Sequence, residues 1–192
     1  MIVAIVIVVL VVLIALWAVG IYNGLIKLRN LVQEAWRQID VELKRRHDLI
    51  GNLVETVKGY AAHERGTLED VMKARSQAMA GGQSPAQQAQ SEGLLSAALG
   101  RLIAVAEAYP DLKANQNFLA LQAQLEGTEN RIAVARRDYI QAVRDYNLTL
   151  RTFPSVLWAT FWFRSNEPFA NFTIEEDKLQ TPKVDFGTKQ GG

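Results

Sequence analysis

The 192-residue chain has no cysteine and only two histidines. Without cysteine it forms no disulfide, no thiolate zinc site, no iron–sulfur cluster and no cysteine nucleophile. It also lacks an excess of either charge, because 21 basic side chains stand against 20 acidic ones for a formal net charge of +1. A dedicated nucleic-acid-binding protein is normally strongly basic, so the sequence predicts no nucleic-acid partner.

Charge is absent altogether from residues 2 to 21, and the first charged side chain after the amino terminus is Lys27. A helix of about 20 residues spans roughly 30 Å, the thickness of a bilayer core. Met1 alone precedes the apolar run, and Leu16, Trp17 and Val19 do not suit a cleavage site of small residues. The sequence therefore predicts an uncleaved transmembrane anchor over residues 1–22 and not a secretory signal peptide.

The flanks of the anchor differ in charge. Trp17 and Tyr22 lie near its carboxyl end, where amphipathic rings favour the membrane interface, and Lys27 and Arg29 follow them. The amino-terminal flank has no lysine or arginine. The positive-inside tendency thus predicts a single-pass protein with its amino terminus outside and its soluble domain in the cytoplasm, and the lipid bilayer is its first partner.

Apolar residues return at steps of three and four after the anchor, from Leu25 to Ala61, with no proline or paired glycine between them. This spacing predicts a long amphipathic helix that continues directly from the anchor, with a break near residues 63–66. A second helix is predicted over residues 67–80, and it ends at Gly81-Gly82.

A helix-starting signal follows at Ser84-Pro-Ala-Gln87, which has the pattern of a capping box with proline at the first helical position. The third helix is predicted to run from there to a point before Pro110. The fourth has the most regular spacing and extends from Phe118 to Phe153. No segment shows the alternation of a strand.

Together these segments predict an all-α fold: an N-terminal transmembrane helix followed by an up-and-down antiparallel four-helix bundle with long first and last helices. The predicted domains are the anchor at 1–22, the helical bundle at 23–155, an aromatic-rich segment at 156–172 and a polar tail at 173–192. The aromatic segment contains Trp158, Phe161, Trp162 and Phe163. These rings could enter the membrane interface, pack on the base of the bundle or contact a neighbouring subunit.

Several blocks of residues resemble a known family. They are Tyr22-Asn23, Glu34-Ala-Trp36, Asp40-Val-Glu-Leu-Lys-Arg-Arg46, Asn52-Leu-Val-Glu-Thr-Val-Lys-Gly-Tyr60, Ala104-Val-Ala-Glu-Ala-Tyr-Pro-Asp-Leu-Lys-Ala-Asn115, Thr128-Glu-Asn-Arg-Ile132 and Ala135-Arg-Arg-Asp-Tyr139. In this order they resemble the LemA family over roughly residues 20 to 155. The resemblance implies a bacterial plasma (inner) membrane protein with a helical-bundle domain, and it supplies no catalytic residues.

The sequence departs from the family pattern in two places. Gly51 stands where the family is expected to carry proline after Asp48-Leu-Ile50, so a kink there would depend on the conformational freedom of glycine. The segment after Phe163 also fits the family ending poorly, and nothing is transferred to residues 164–192.

Polar side chains on the bundle helices are predicted to form a buried hydrogen-bonded network, because buried polar groups need partners. The candidates are Asn52, Glu55, Arg101, Glu107, Asn117, Glu129, Asn130 and Arg131. A sharper alternative is a polar pocket in which Arg131 or Arg101 binds an anionic ligand.

Metal chemistry is not predicted, because a di-metal bundle needs Glu-x-x-His pairs and Lys44 and Tyr60 occupy the positions three before His47 and His63. His47 is expected to be a partly exposed helix residue and His63 a residue at a helix end. The basic clusters Lys44-Arg45-Arg46 and Arg136-Arg137 are interleaved with acids and are predicted to be solvated faces.

These observations give two hypotheses of function. The first is a membrane-anchored scaffold, adaptor or assembly protein, a homo-oligomer or a partner of other membrane proteins, that presents heptad-like helix faces. The second is a membrane-tethered ligand sensor with a polar pocket inside the bundle. An enzyme is not expected, because the chain has no phosphate-binding glycine loop, no nucleophile elbow and no sign of a cofactor.

Overall fold

The computed structural model describes residues 1–156 and residue 169 of the chain. This part is all-helical and contains no strand. Its elements are α1 Ile2–Lys58, α2 Arg65–Ala78, α3 Pro85–Ala106, the short α4 Pro110–Lys113 and α5 Gln116–Arg151.

The apolar run and the first amphipathic segment form one uninterrupted helix of 57 residues, α1. Its most apolar stretch has no buried residue and is long and apolar enough to cross a membrane. From Leu25 onward one face is buried at steps of three, four and seven residues. The predicted continuity is confirmed, and α1 passes through Gly51 as helix, without the break that a proline would favour.

Helix α5 runs antiparallel to α1 beside the part of α1 that follows the apolar run. We call this end of the molecule the lower part and the opposite end the upper part. The rings of Trp36 and Tyr139 lie 5.3 Å apart, and further along Arg131 Nε donates to Glu42 at 3.0 Å. These helices share an apolar cluster that we call the lower core, made of Leu25, Val32, Ile39, Leu43, Ile132, Ala135, Tyr139, Ala142, Val143, Tyr146 and Leu150.

Helices α2 and α3 form an antiparallel hairpin against the far half of α1. Gly82 turns the chain between them with a φ of 79°, a conformation that favours glycine. Ser84 accepts from the backbone N–H of Gln87, whose side chain accepts from Ser84 N–H, so the predicted capping box is confirmed. The hairpin, α4 and the far ends of α1 and α5 enclose a second cluster, the upper core, from Leu49 to Leu125.

Helix boundaries differ from the expectations by a few residues. Helix α1 ends at Lys58 and not near residue 62, and α2 occupies Arg65–Ala78 instead of 67–80. The one-turn helix α4, which begins at Pro110, was not predicted. The predictions for Trp158, Phe161, Trp162, Phe163 and the polar tail lie outside the described residues.

Candidate functional site

A layer of charged side chains lies between the lower and upper cores. Glu92 of α3 accepts from Arg46 Nη1 at 2.9 Å through Oε2, and its Oε1 lies 2.7 Å from His47 Nε2. All three are buried, with 2% of Glu92, 4% of Arg46 and 5% of His47 exposed. One carboxylate thus ties two consecutive residues of α1 to the start of α3.

The rim of this charged layer consists of further ion pairs toward α5. Arg46 Nε lies 3.2 Å from the half-exposed carboxylate of Glu129. Arg131 donates to Glu42 at 3.0 Å and to Thr128 Oγ1 at 2.9 Å. The hydrogen bonds to charged groups offset the cost of removing these side chains from water.

Burial affects one more cation of the layer. It lowers the pKa of Arg136, while the negative charges of Glu129 and Glu92 act in the opposite direction. A guanidinium stays protonated under such conditions, so Arg136 contributes a fixed positive charge beside the two carboxylates.

Two open clefts adjoin the charged layer. Arg46 lines a cleft of about 340 Å³ between α3 and α5, together with apolar side chains such as Leu99 and Leu125. His47 lines a cleft of about 480 Å³ under the α2–α3 turn, with Asp40, Lys44 and Gln88. The two residues bound to Glu92 therefore each border a different cleft.

The predicted buried network needs correction. The eight candidates are all exposed: Asn52, Glu55, Arg101, Glu107, Asn117, Glu129, Asn130 and Arg131. They lie on the outer helix faces because apolar neighbours occupy the inner positions. Glu129 and Arg131 still reach the rim of the charged layer. The expectation of a partly exposed helix residue is wrong for His47, and that of a solvated basic cluster is wrong for Arg46.

The sequence contained a signal for these missed residues. The buried apolar positions of α1 include Leu43, Ile50, Leu53 and Val57, and Arg46 fills the step between Leu43 and Ile50. In α3, Glu92 similarly precedes Leu95, Leu99 and Leu102 at the spacing of the buried face. A charge that occupies a core position of a helical repeat predicts a buried ion pair.

The described membrane-contact candidates Trp17, Tyr22, Lys27 and Arg29 are all exposed, and they lie where the apolar part of α1 meets its packed part. Residues 1–156 and 169 hold no group of three or more His, Asp or Glu side chains arranged to bind a metal.

The described part defines a class: an all-helical protein with one long apolar N-terminal helix that suggests a membrane anchor. Residues 35–186 match the LemA family, so the chain belongs to this family. The match continues beyond Phe163, and the expectation of a poor fit in the final segment is wrong over residues 164–186.

Relatives carry two kinds of name. Magnetosome protein MamQ 2 of Paramagnetospirillum magneticum is 27% identical over 188 residues, which cover 85% of this chain and 68% of that protein. Magnetosome protein MamQ of Magnetospirillum gryphiswaldense is 25% identical, with 85% and 70% covered. Protein LemA of Metamycoplasma hominis is 26% identical, with 75% and 62% covered.

Proposed function

We propose that the protein is a membrane-anchored scaffold or adaptor without catalytic activity, which holds a helical head at a fixed distance from the bilayer. The continuity of α1 carries this proposal, because a single helix joins the apolar run to the upper core. From Ile21 to Lys58 it extends about 55 Å at the usual rise per residue. The relatives named as magnetosome proteins support a membrane-associated role.

In this proposal the four long segments form an up-and-down four-helix bundle, the head lies in the cytoplasm of a bacterial inner membrane, and the amino terminus lies outside. The chain assembles as a homo-oligomer or with other membrane proteins. Apolar side chains exposed on the outer faces of α3 and α5 support contact with protein partners, namely Leu94, Leu119, Val134, Ile140 and Leu148.

Extraction of the full chain in mild detergent tests this proposal. Mass measurement of the extracted particle is expected to give a multiple of the chain mass, or a defined complex with another membrane protein. A monodisperse monomer without a partner would contradict the scaffold.

A reporter that is active only in the periplasm tests the orientation. Fused after residue 192, it is expected to stay inactive, and reporter activity would show that the carboxyl end lies in the periplasm, opposite to the proposed orientation.

A second candidate function is the ligand sensor. It is favoured by one observation: Arg46 and His47, joined by Glu92, each border a separate open cleft. A ligand bound in either cleft would contact Arg46 or His47 and so affect the ion pairs with Glu92 that connect α1 to α3. Calorimetric titration of the detergent-solubilised chain with a metabolite panel tests it, and the absence of heat with every compound would count against the sensor.

A further inference from the structure

The pairing of α1 with α5 brings the end of α5 back to the anchor. Leu25 and Leu150 share the lower core, and the charge of Arg29 acts on Tyr146. The antiparallel register set by Trp36 and Tyr139 therefore places Arg151 level with Gly24, and Phe153 lies two residues further along, just past the end of α5.

The described charges at this end of the two-helix pair are basic up to the level of Arg29, and the acid of α5 nearest this end, Asp145, lies just above it at the level of Asn30. Residues 1–33 contain no acid and include Lys27 and Arg29, and residues 146–166 contain no acid and include Arg151. Lys27, Arg29 and Arg151 are exposed. Counted from Ile21, their levels are about 9, 12 and 5 Å above the end of the apolar run. The headgroup layer of one leaflet is about 5–8 Å thick, within reach of long basic side chains.

A large apolar side chain accompanies these cations. Phe153 is 76% exposed, and it follows Arg151 just beyond the end of α5 that adjoins the anchor. Aromatic rings are enriched at membrane interfaces, where their apolar surface leaves water. An exposed ring next to a cation, at the end of α5 that adjoins the anchor, has the composition of an interfacial contact.

We propose that the carboxyl end of α5 is a second membrane contact, in which Arg151 joins Lys27 and Arg29 to bind anionic phospholipid headgroups while Phe153 enters the interface. This site rests on the proposed membrane anchoring. Arg151 lies far along the chain from the anchor, so the proposal assigns it a lipid-binding role separate from the charge bias that orients the anchor during insertion.

Native mass spectrometry of the full chain in detergent tests the site, with added phosphatidylglycerol and phosphatidylcholine of identical acyl chains. The wild type is expected to retain phosphatidylglycerol preferentially. Arg151→Gln is expected to lower this retention about fivefold, the effect of one cation near a membrane surface. Arg151→Lys is expected to keep it, and Phe153→Ala is expected to reduce retention of both lipids.

Arg137→Gln is the matched control, because Arg137 is exposed on the same helix two heptads away, at a level about 25 Å above Ile21. It is expected to bind lipid as the wild type does. Equal retention of the two lipids, no effect of Arg151→Gln or an equal effect of Arg137→Gln would overturn the site. Binding of inorganic phosphate without lipid preference would assign the cations to a free anion and overturn it as well.

Flotation with phosphatidylcholine vesicles separates this proposal from the anchoring on which it rests. The full chain and all variants are expected to float, since the apolar run inserts without anionic lipid. A wild type that does not float overturns both proposals. A chain that floats but shows no lipid preference overturns only the headgroup site.

Discussion

At the scale of single residues, Glu92 is the buried acid that connects α3 to α1. Its carboxylate faces two groups of α1, Arg46 and His47, in a place from which water is nearly excluded. Burial of such a group is costly unless every charge has a partner. The stability of the fold is therefore expected to fall more when one charged side chain of the layer is removed than when all of them are replaced by apolar side chains.

Glu92→Ala is expected to lower the free energy of unfolding by about 3–5 kcal/mol, because it removes the buried counterion of Arg46 and leaves only the half-exposed Glu129 beside the buried guanidinium. Chemical denaturation of the full chain in detergent, followed by circular dichroism, measures the change. Glu107→Ala, at the exposed end of the same helix, is the control and is expected to change it by less than about 0.5 kcal/mol.

The triple variant Arg46→Met, His47→Leu and Glu92→Leu completes this comparison. Apolar side chains of similar volume need no counterion, so the variant is expected to recover most of the stability lost in Glu92→Ala. A single Glu92→Ala variant as stable as the Glu107→Ala control would show that the charged layer contributes little.

Two tyrosines of the lower core are expected to make the stability of the fold depend on alkaline pH. Burial raises the pKa of Tyr139 and of Tyr146 above the ordinary value of about 10. Their contribution to stability is complete below the unfolded pKa and is lost as the pH rises through the folded pKa. The double variant Tyr139→Phe and Tyr146→Phe is therefore expected to stay folded to a higher pH than the wild type.

Circular dichroism during an alkaline titration follows this loss of structure. Tyr60→Phe, in an exposed side chain beyond α1, is the control and is expected to unfold with the wild type. Alkaline unfolding of the double variant at the wild-type pH would exclude phenol ionisation as the cause.

At the scale of elements, the helices begin and end where local chemistry dictates. Asn115 accepts from Phe118 N–H to start α5, as Ser84 does with Gln87 to start α3. The interior of α1 has no comparable stop signal, so it continues from the apolar run into the upper core. The positions of α1, α2, α3 and α5 were therefore predictable from sequence to within a few residues, whereas the one-turn α4 was not.

Two glycines are expected to respond in opposite directions to alanine. A Cβ at Gly51 would meet Arg75 no closer than 3.6 Å, so Gly51→Ala is expected to raise the free energy of unfolding by roughly 0.5–1 kcal/mol through helix propensity. Gly82→Ala is expected to lower it by about 1 kcal/mol, because the positive φ disfavours a side chain. Thermal unfolding distinguishes them, and equal shifts would contradict the geometry of the turn.

At the scale of the whole molecule, the apolar run and the packed part share one helix, and the run meets the lower core at its last residue, Ile21. The most apolar stretch of α1 is entirely exposed, and burial starts near Leu25. The lower core then lies nearest the anchor, the charged layer follows, and the upper core lies farthest away.

Removal of residues 1–20 is expected to leave the two cores intact, because no buried residue of the described part precedes Leu25. The truncated chain is expected to unfold within a few degrees of the full chain in the same detergent. Differential scanning calorimetry measures both. A large fall in the unfolding temperature would show that the anchor stabilises the packed helices directly.

The ion pairs of the charged layer are the part of the candidate site that was not predicted from the sequence. The apolar run, the capping box and the periodicity of α5 are local features, and each predicted its element. Burial of Arg46 depends on Glu92, 46 residues away, and the adjacent Lys44 and Arg45 suggested a solvated face. The helical repeat places Arg46 and Glu92 on the buried faces of α1 and α3, but which partner each of them meets is decided by the pairing of helices, which no single segment encodes.

The division by the charged layer also has a consequence for local unfolding. The lower core takes only Ala89 from the α2–α3 hairpin, whereas the upper core depends on both hairpin helices. The α2–α3 hairpin is therefore expected to open as a separate cooperative unit while α1 and α5 stay packed against each other through the lower core. Amide hydrogen exchange is then expected to be faster throughout α2 and α3 than in the lower halves of α1 and α5. The part of α1 and α5 nearest the anchor would stay paired while the hairpin at the far end opens and closes.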